Sequence, residues 1–242
     1  MSFKLLSYPD DATLAKEAAA GWVRDLQMQS KYFSEGMAYC VALSGGRIAR
    51  NFFSEIAKQA ATRRELFDHV HFFWADERCV PPTDPESNYA IAKELLFNPL
   101  KIPDTQVHRL RGEENEALAL RDALENIIMW ASPKVGKGQP IFDMIFLGMG
   151  EDGHVASLFP GESESLMDDP AFYRAVTAVK PPPRRLTLGY GAIVRALDVW
   201  VLIAGADKAN ALKESLSPSG KTPLARVLKQ RAQTSILTDI KA

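Results

Sequence analysis

Residues 37–60 read MAYCVALSGGRIARNFFSEIAKQA, and the fold turns on how this stretch is parsed. Met37 to Leu43 is an unbroken apolar run, which fits a strand buried on both faces better than one with a wet side. Ser44-Gly45-Gly46 then breaks the run, and Arg47 to Ala60 has the composition of a helix. Strand, glycine turn and helix in that order form the opening of a βαβ unit, whose sheet is parallel.

The same alternation extends outward in both directions. Phe3 to Tyr8 reads as a strand closed by Pro9, and Asp10 or Asp11 caps a helix whose apolar positions Leu14, Ala15, Ala18, Ala19, Trp22 and Leu26 recur at helical spacing. Val70 to Ala75 is a further buried strand, followed by a long loop rich in Pro and Asp. Ser87 caps a helix through Phe97. Glu113 to Trp130 is amphipathic, and Pro133 to Pro140 is a polar break. Met144 to Leu147, Tyr173 to Val179 and Val199 to Ala204 add three strands. Apolar strands interleaved with helices imply an α/β fold with a mostly parallel sheet covered on both sides. The pattern resumes directly after the break, so residues 1–242 read as one domain.

Composition narrows the function classes. Apolar residues make up 46% of the 242 and charged residues 24%, and the net charge is -1. No global field draws nucleic acid or an anionic membrane, so any bound anion must be held by a local cluster. Cys40 and Cys79 form neither a C-x-x-C motif nor a disulfide framework, which suits a reducing compartment. The N-terminus lacks the pattern of a signal peptide, and no apolar run reaches the length of a bilayer span. The chain reads as cytoplasmic.

Ligands of parallel sheets bind at the carboxyl ends of the strands. Four segments follow strands here: Ser44-Gly45-Gly46, Asp76-Glu77-Arg78, Gly148 to His154, and Gly205 to Lys208. Two familiar motifs fail on context. Gly148-Met149-Gly150-Glu151-Asp152-Gly153 matches G-x-G-x-x-G, but Pro160-Gly161 stops any helix after little more than a turn, so no dinucleotide site follows. Ser219-Gly220-Lys221-Thr222 lacks the first glycine and the preceding strand of a P-loop, and reads as a solvated loop before the last helix.

His154 is the sharpest chemical signal. Gly148, Gly150 and Gly153 crowd the turn before it, Asp152 lies two residues upstream, and an imidazole with a reference pKa of ~6.5 serves as a general base near neutrality. The competing reading is a histidine at a helix start bonded to a nearby carbonyl. Ser44-Gly45-Gly46 at a helix start is either an anion site or simply a tight turn. Arg47 pairs with phosphate or projects into solvent. Within Asp76-Glu77-Arg78 an internal ion pair is the plainer alternative to a ligand contact. Lys208 opposes the dipole of a helix start unless an anion is present. Arg184 and Arg185 are phosphate partners or a solvated edge. His69 and His71 form an H-x-H pair without further ligands at zinc spacing, so no metal is expected.

Read together, these segments resemble a known family. FDMIFLGMGEDGHVASLFPG (Phe142 to Gly161) and WADERCVPPTDPESN (Trp74 to Asn88) resemble the signatures of 6-phosphogluconolactonases. VALSGG (Val41 to Gly46), VKPPPRRLTL (Val179 to Leu188) and VWVLIAGADKANAL (Val199 to Leu212) are similar to three further blocks in the family's order. The resemblance spans nearly the whole chain. It implies a three-layer α/β sandwich with a Rossmann-like sheet, similar to glucosamine-6-phosphate deaminase and ribose-5-phosphate isomerase. It implies hydrolysis of 6-phosphogluconolactone in the pentose phosphate pathway, with no metal or cofactor.

The expected site follows residue by residue. His154, Arg78 and Asp152 are the catalytic candidates, with His154 matching the family's general base and Arg78 its substrate-binding arginine. Ser44, Gly45, Gly46, Arg47, Asp76, Gly150, Arg185 and Lys208 are the candidates for holding substrate and phosphate. Expected partners are a sugar-phosphate lactone, with neither nucleic acid nor membrane, and a monomer or weak homo-oligomer. Two departures stand out. Arg47-Ile48-Ala49 replaces the family's small hydroxyl residue and proline, so a charged contact from Arg47 is expected in place of a hydrogen bond. The tail TSILTDIKA lacks the Trp-Phe-Leu-Asp run of bacterial members, a difference expected to touch packing rather than the site. The rival activities are a sugar-phosphate isomerase or deaminase, whose loop carries a carboxylate after Gly-His where this chain has Val155 to Phe159, and a non-catalytic sugar-phosphate sensor.

Overall fold

The computed structural model describes residues 2–33, 36–131 and 139–241. Among these residues nine strands form two sheets. The strands are β1 (Lys4–Ser7), β2 (Tyr39–Leu43), β3 (Val70–Trp74), β4 (Asp76–Arg78), β5 (Met144–Gly148), β6 (Tyr173–Thr177), β7 (Arg184–Leu188), β8 (Asp198–Ile203) and β9 (Ser235–Thr238). Six of them make a wholly parallel sheet in the order β1-β9-β8-β5-β2-β3. The expected strands all lie within a residue or two of their places. The polar break at Pro133–Pro140 falls outside the described residues, apart from Gln139 and Pro140.

Helices fill the connections. They are α1 (Asp11–Gln29), α2 (Arg47–Gln59), α3 (Asn88–Ala92), α4 (Asn98–Leu100), α5 (Glu116–Ala131), α6 (Glu164–Met167), α7 (Tyr190–Arg195), α8 (Ala209–Leu216) and α9 (Pro223–Gln230). Asp10 caps α1 by accepting from Thr13 N at 2.7 Å, and Ser87 caps α3. α3 runs through a π-helical turn, Lys93–Phe97, into α4.

Alternation along β3 separates the two faces of the parallel sheet. Phe72 turns toward α1, where Trp22 meets the rings of Phe52, Phe67, Phe72 and Phe146 within 6.5 Å. His71 and Phe73 turn the other way, toward Trp130 of α5 and Phe142. Trp22, Phe52, Phe67, Phe72 and Phe73 are all essentially inaccessible. Burying these aromatics is what fixes the register of helices against sheet.

The second sheet corrects the expectation of one parallel array. Tyr173–Thr177 does not join it; β6 pairs antiparallel with β7, and β7 with β4, in the order β4-β7-β6. The short connection 178–183 permits only an antiparallel return. Asp76-Glu77-Arg78, expected in a loop after β3, is itself a strand, and β7 and β9 had no counterpart in the sequence reading. The Tyr173 hydroxyl ties the two sheets together by donating to Trp74 O at 2.9 Å.

Candidate active site

The carboxyl ends of β2, β5 and β8 and one face of the β4–β7 pair converge on a small cavity of about 90 Å³. Ser44, Gly45, Gly46, Arg47, Asp76, Arg78, Gly150, His154, Arg185 and Lys208 all line it, joined by Asn88, Gly148 and Ala156. The four segments expected at a common rim therefore meet. A larger cleft of about 970 Å³ opens beside it and shares His154 and Arg185. Glu116, Glu151, Glu162 and Asp169 stand along that cleft, and its Arg174 and Lys180 are paired with Glu162 and Glu151. The unpaired positive charge belongs to the small cavity, so an anion belongs there too.

His154 is held by a carboxylate, not by a carbonyl at a helix start. Its Nδ1 lies 2.6 Å from Asp152 Oδ1, which also accepts from His154 N at 3.1 Å. Burial alone would raise the Asp152 carboxyl, but the adjoining imidazole and amide hold it below the usual carboxylate range. Nε2 has no hydrogen-bond partner among the described residues, and the side chain is 28% exposed, turned to the cavity rather than sealed. The ring also leans on Phe159, 4.9 Å between centroids. No helix follows Gly153, in keeping with the rejected dinucleotide motif.

Two glycines explain the shape of this turn. A Cβ on Gly150 would collide with His154 Cε1 and Nδ1, so the imidazole lies directly against the main chain. Gly153 has φ 81° and abuts the Thr222 side chain, while Leu224 N donates to Gly153 O at 3.1 Å. Thr222 is buried, caps α9 and bonds Ser215 Oγ at 2.6 Å. The Ser219–Thr222 segment, expected as a solvated loop, thus ends in a prop for the histidine turn.

Four cations line the cavity, Arg47, Arg78, Arg185 and Lys208. Arg78 and Arg185 sit directly opposite each other across β4 and β7. Like charges at such a pair repel, and an anion between them removes the conflict. Arg78 Nη1 donates to Glu86 O at 2.8 Å and lies 3.2 Å from Glu86 Oε2, so its ion pair is with Glu86 and not within Asp76-Glu77-Arg78. Arg185 is 6% exposed and donates to Pro182 O and Lys180 O. Burial first, and Arg78 second, pull its pKa below the ordinary arginine value. Arg184 points the other way and pairs with Glu116 at the surface, so only one of the two arginines is a candidate.

Lys208 rides on the turn Ala206–Lys208, and burial followed by the Arg47 charge lowers its pKa; it makes no ion pair among the described residues. Arg47 is a partial correction. It lines the cavity, yet its Nη2 is 2.7 Å from Asp207 Oδ2 and its side chain is 75% exposed. The tail reaches the site after all, because Asp239 Oδ1 accepts from Gly205 N at 2.9 Å and so anchors the turn that carries Lys208.

Beneath the cations lies a buried polar bed, in which Ser157 and Asn88 join the expected Ser44 and Asp76. Asp76 is 5% exposed and accepts from Ser157 Oγ at 2.8 Å, from Ser44 Oγ at 3.4 Å and from Asn88 Nδ2 at 3.4 Å. Glu77 faces away from the cavity; burial pushes its carboxyl up to about 7 against the pull of its hydrogen bonds. His71 is committed elsewhere, bonded to His108 Nε2 at 2.9 Å and stacked on Trp130, and no group of three metal-ligating side chains occurs among the described residues.

Comparison with known proteins agrees with this fold. Residues 9–236 match the family model of glucosamine-6-phosphate isomerases/6-phosphogluconolactonase. The 6-phosphogluconolactonase of Haemophilus influenzae is 38% identical over 72% of each chain, and that of Mycobacterium tuberculosis is 35% identical over 89% of this chain and 87% of its own. Among solved structures, 6-phosphogluconolactonase from Trypanosoma brucei superposes with a TM-score of 0.80 at 26% identity, covering 98% of this chain and 95% of that one. With sequence and architecture matched over almost its full length, the chain belongs to the glucosamine-6-phosphate isomerase/6-phosphogluconolactonase family.

Proposed function

We propose that the protein hydrolyses 6-phospho-D-glucono-1,5-lactone to 6-phosphogluconate, as a single domain acting in the cytoplasm, where a phosphorylated substrate is retained. One observation carries the reading: an imidazole with one nitrogen fixed by a carboxylate and the other open shares a cavity with Arg78, Arg185 and Lys208. The phosphate sits among the cations and the ring extends past His154 toward the larger cleft.

The chemistry then runs in two proton transfers. His154 Nε2 takes a proton from water as its oxygen bonds to the lactone carbonyl carbon. The oxyanion is met by a cation of the cavity, because the Gly150 and Gly153 amides already donate to His154 O and Gly150 O. As the bond from that carbon to the ring oxygen breaks, the imidazolium returns the proton to the departing oxygen, leaving a hydroxyl and a carboxylic acid that ionises. Asp152 keeps the ring oriented and steadies its positive charge between the two transfers. Phosphate binding, remote from the reacting carbon, positions the carbonyl.

An isomerase or deaminase needs a free carboxylate to move a proton at carbon. Val155 to Phe159 supplies none, and both oxygens of Asp76 are occupied by Ser157, Ser44 and Asn88. A sensor would bind without turnover. The deciding assay follows lactone consumption, corrected for spontaneous opening, by wild-type protein and His154→Ala. Turnover is expected to fall about 10²–10⁴-fold in the variant with affinity for 6-phosphogluconate kept. A loss of tenfold or less removes His154 as the base; wild-type protein that only matches the spontaneous rate makes the chain a sensor.

A further inference from the structure

The mechanism above leaves one buried carboxylate without a task. Glu77 is 3% exposed and stands on the face of β4 opposite Asp76 and Arg78. Its Oε1 accepts from Arg78 N at 2.7 Å and Asn88 N at 2.8 Å, and its Oε2 from Tyr89 N at 2.8 Å and Ser87 Oγ at 3.0 Å. All four partners donate, so they favour the ionised carboxylate, which only accepts, against the burial that raises its pKa.

Three of those donors belong to residues 87–89, and the segment 86–88 also shapes the cavity. Glu86 O receives the Arg78 guanidinium at 2.8 Å. Asn88 Nδ2 donates to Asp76 O at 2.8 Å. Asn88 Oδ1 lies so close to the main chain at Gly45 that no side chain fits there. One carboxylate therefore grips the ledge on which Arg78, Asp76 and the Ser44–Gly46 turn all rest, and grips the main chain of Arg78 as well.

We infer that Glu77 is a positioning residue for the anion cradle, clamping residues 86–89 to β4 so that Arg78 and the Gly45 turn keep the spacing that a phosphate requires. A plain helix cap would lower stability and leave ligand affinity of the folded protein alone. A clamp of the cradle alters affinity. Glutamine separates the two, because its amide nitrogen would face an N–H donor in place of an acceptor while its volume is unchanged.

The test uses the full chain with two readouts: calorimetric affinity for inorganic phosphate, and KM and kcat for the lactone, the latter resting on the lactonase reading. In Glu77→Gln, phosphate affinity is expected to fall about tenfold and KM to rise by the same factor, with kcat within about threefold. In an Arg78→Ala background the same change is expected to matter less than about threefold, because its path runs through Arg78. Folded Glu77→Gln with wild-type phosphate affinity overturns the inference, as does a loss confined to kcat. If Glu77→Gln does not fold, Ser87→Ala removes one donor, and phosphate binding weakened about threefold upholds the clamp where unchanged binding overturns it. Wild-type protein that binds phosphate but opens no lactone defeats the functional reading alone, and the phosphate readout still decides the clamp; wild-type protein that binds no phosphate defeats both.

Discussion

Gly150→Ala adds a single methyl group and is expected to disable the enzyme while sparing the fold. The new Cβ would overlap His154 Cε1 and Nδ1 and stand 2.9 Å from Asp152 Oδ1. Ordinary contact between such atoms needs about 3.5–4.0 Å, so the ring has to retreat by more than about an ångström. The Nδ1–Oδ1 bond of 2.6 Å does not survive that displacement, and Nε2 leaves its position over the cavity. A misplacement of this size costs about 100-fold in turnover. Stability is a separate matter. Gly150 is not at positive φ, and the partly exposed imidazole has solvent to swing into. Melting temperature is expected to stay within about 3 °C of wild type, the equivalent of about 1 kcal/mol for a chain of this size. Lactone hydrolysis and a thermal melt on the same preparation check both halves. A variant with kcat within about threefold of wild type refutes the argument that Gly150 sets the imidazole.

The other expectations concern charge. Lys208→Ala should raise KM with kcat nearly unchanged, and steady-state kinetics showing an unaltered KM would remove it from the cradle. Arg185→Ala should weaken phosphate binding about tenfold or more, while Arg184→Ala, whose partner is the surface carboxylate of Glu116, should change it less than about twofold; calorimetry showing equal effects would contradict the β7 register. Acid should loosen the fold through the His71–His108 pair. Burial, and for His71 also the neighbouring imidazole, lowers each pKa to about 4, below the value of ~6.5 expected when unfolded. The unfolded chain then binds more protons between those values, so stability is full above about pH 6.5 and declines as pH falls toward 4. Urea titrations should show a flatter acid limb when His71→Phe and His108→Phe are combined.

The parts of this molecule legible in sequence are those decided locally. The run ending at Leu43, its glycine turn and α2 declare themselves because a buried strand and a helix have different periods within a few residues. Ser87 and Asp10 announce their helices as caps do. His154, Arg78 and Lys208 could be placed at one rim because strand ends in a parallel sheet share a side. What stayed hidden depends on partners far along the chain. Asp76-Glu77-Arg78 is too short and too charged to look like a strand, and becomes one only because β7 lies beside it. Nothing adjacent distinguishes Arg184 from Arg185 until that register is known. Ser157 meets Asp76 across 81 residues, and Arg47 meets Asp207 across 160. Asp239 sits in a tail whose composition suggests packing, yet its carboxylate anchors the Lys208 turn.

The strand order carries a last implication. Among the described residues β1 pairs only with β9, and β9 fills the space between β1 and β8. On the ribosome the opening strand therefore emerges long before its sole neighbour has been synthesised. At about 10 residues per second, some 20 seconds of translation separate the two. During that interval Leu5 and Leu6 have no sheet to enter, and the half-built array ends at β8 with an unprotected edge. Chaperone capture of nascent chains should therefore peak just before Ser235–Thr238 clears the exit tunnel.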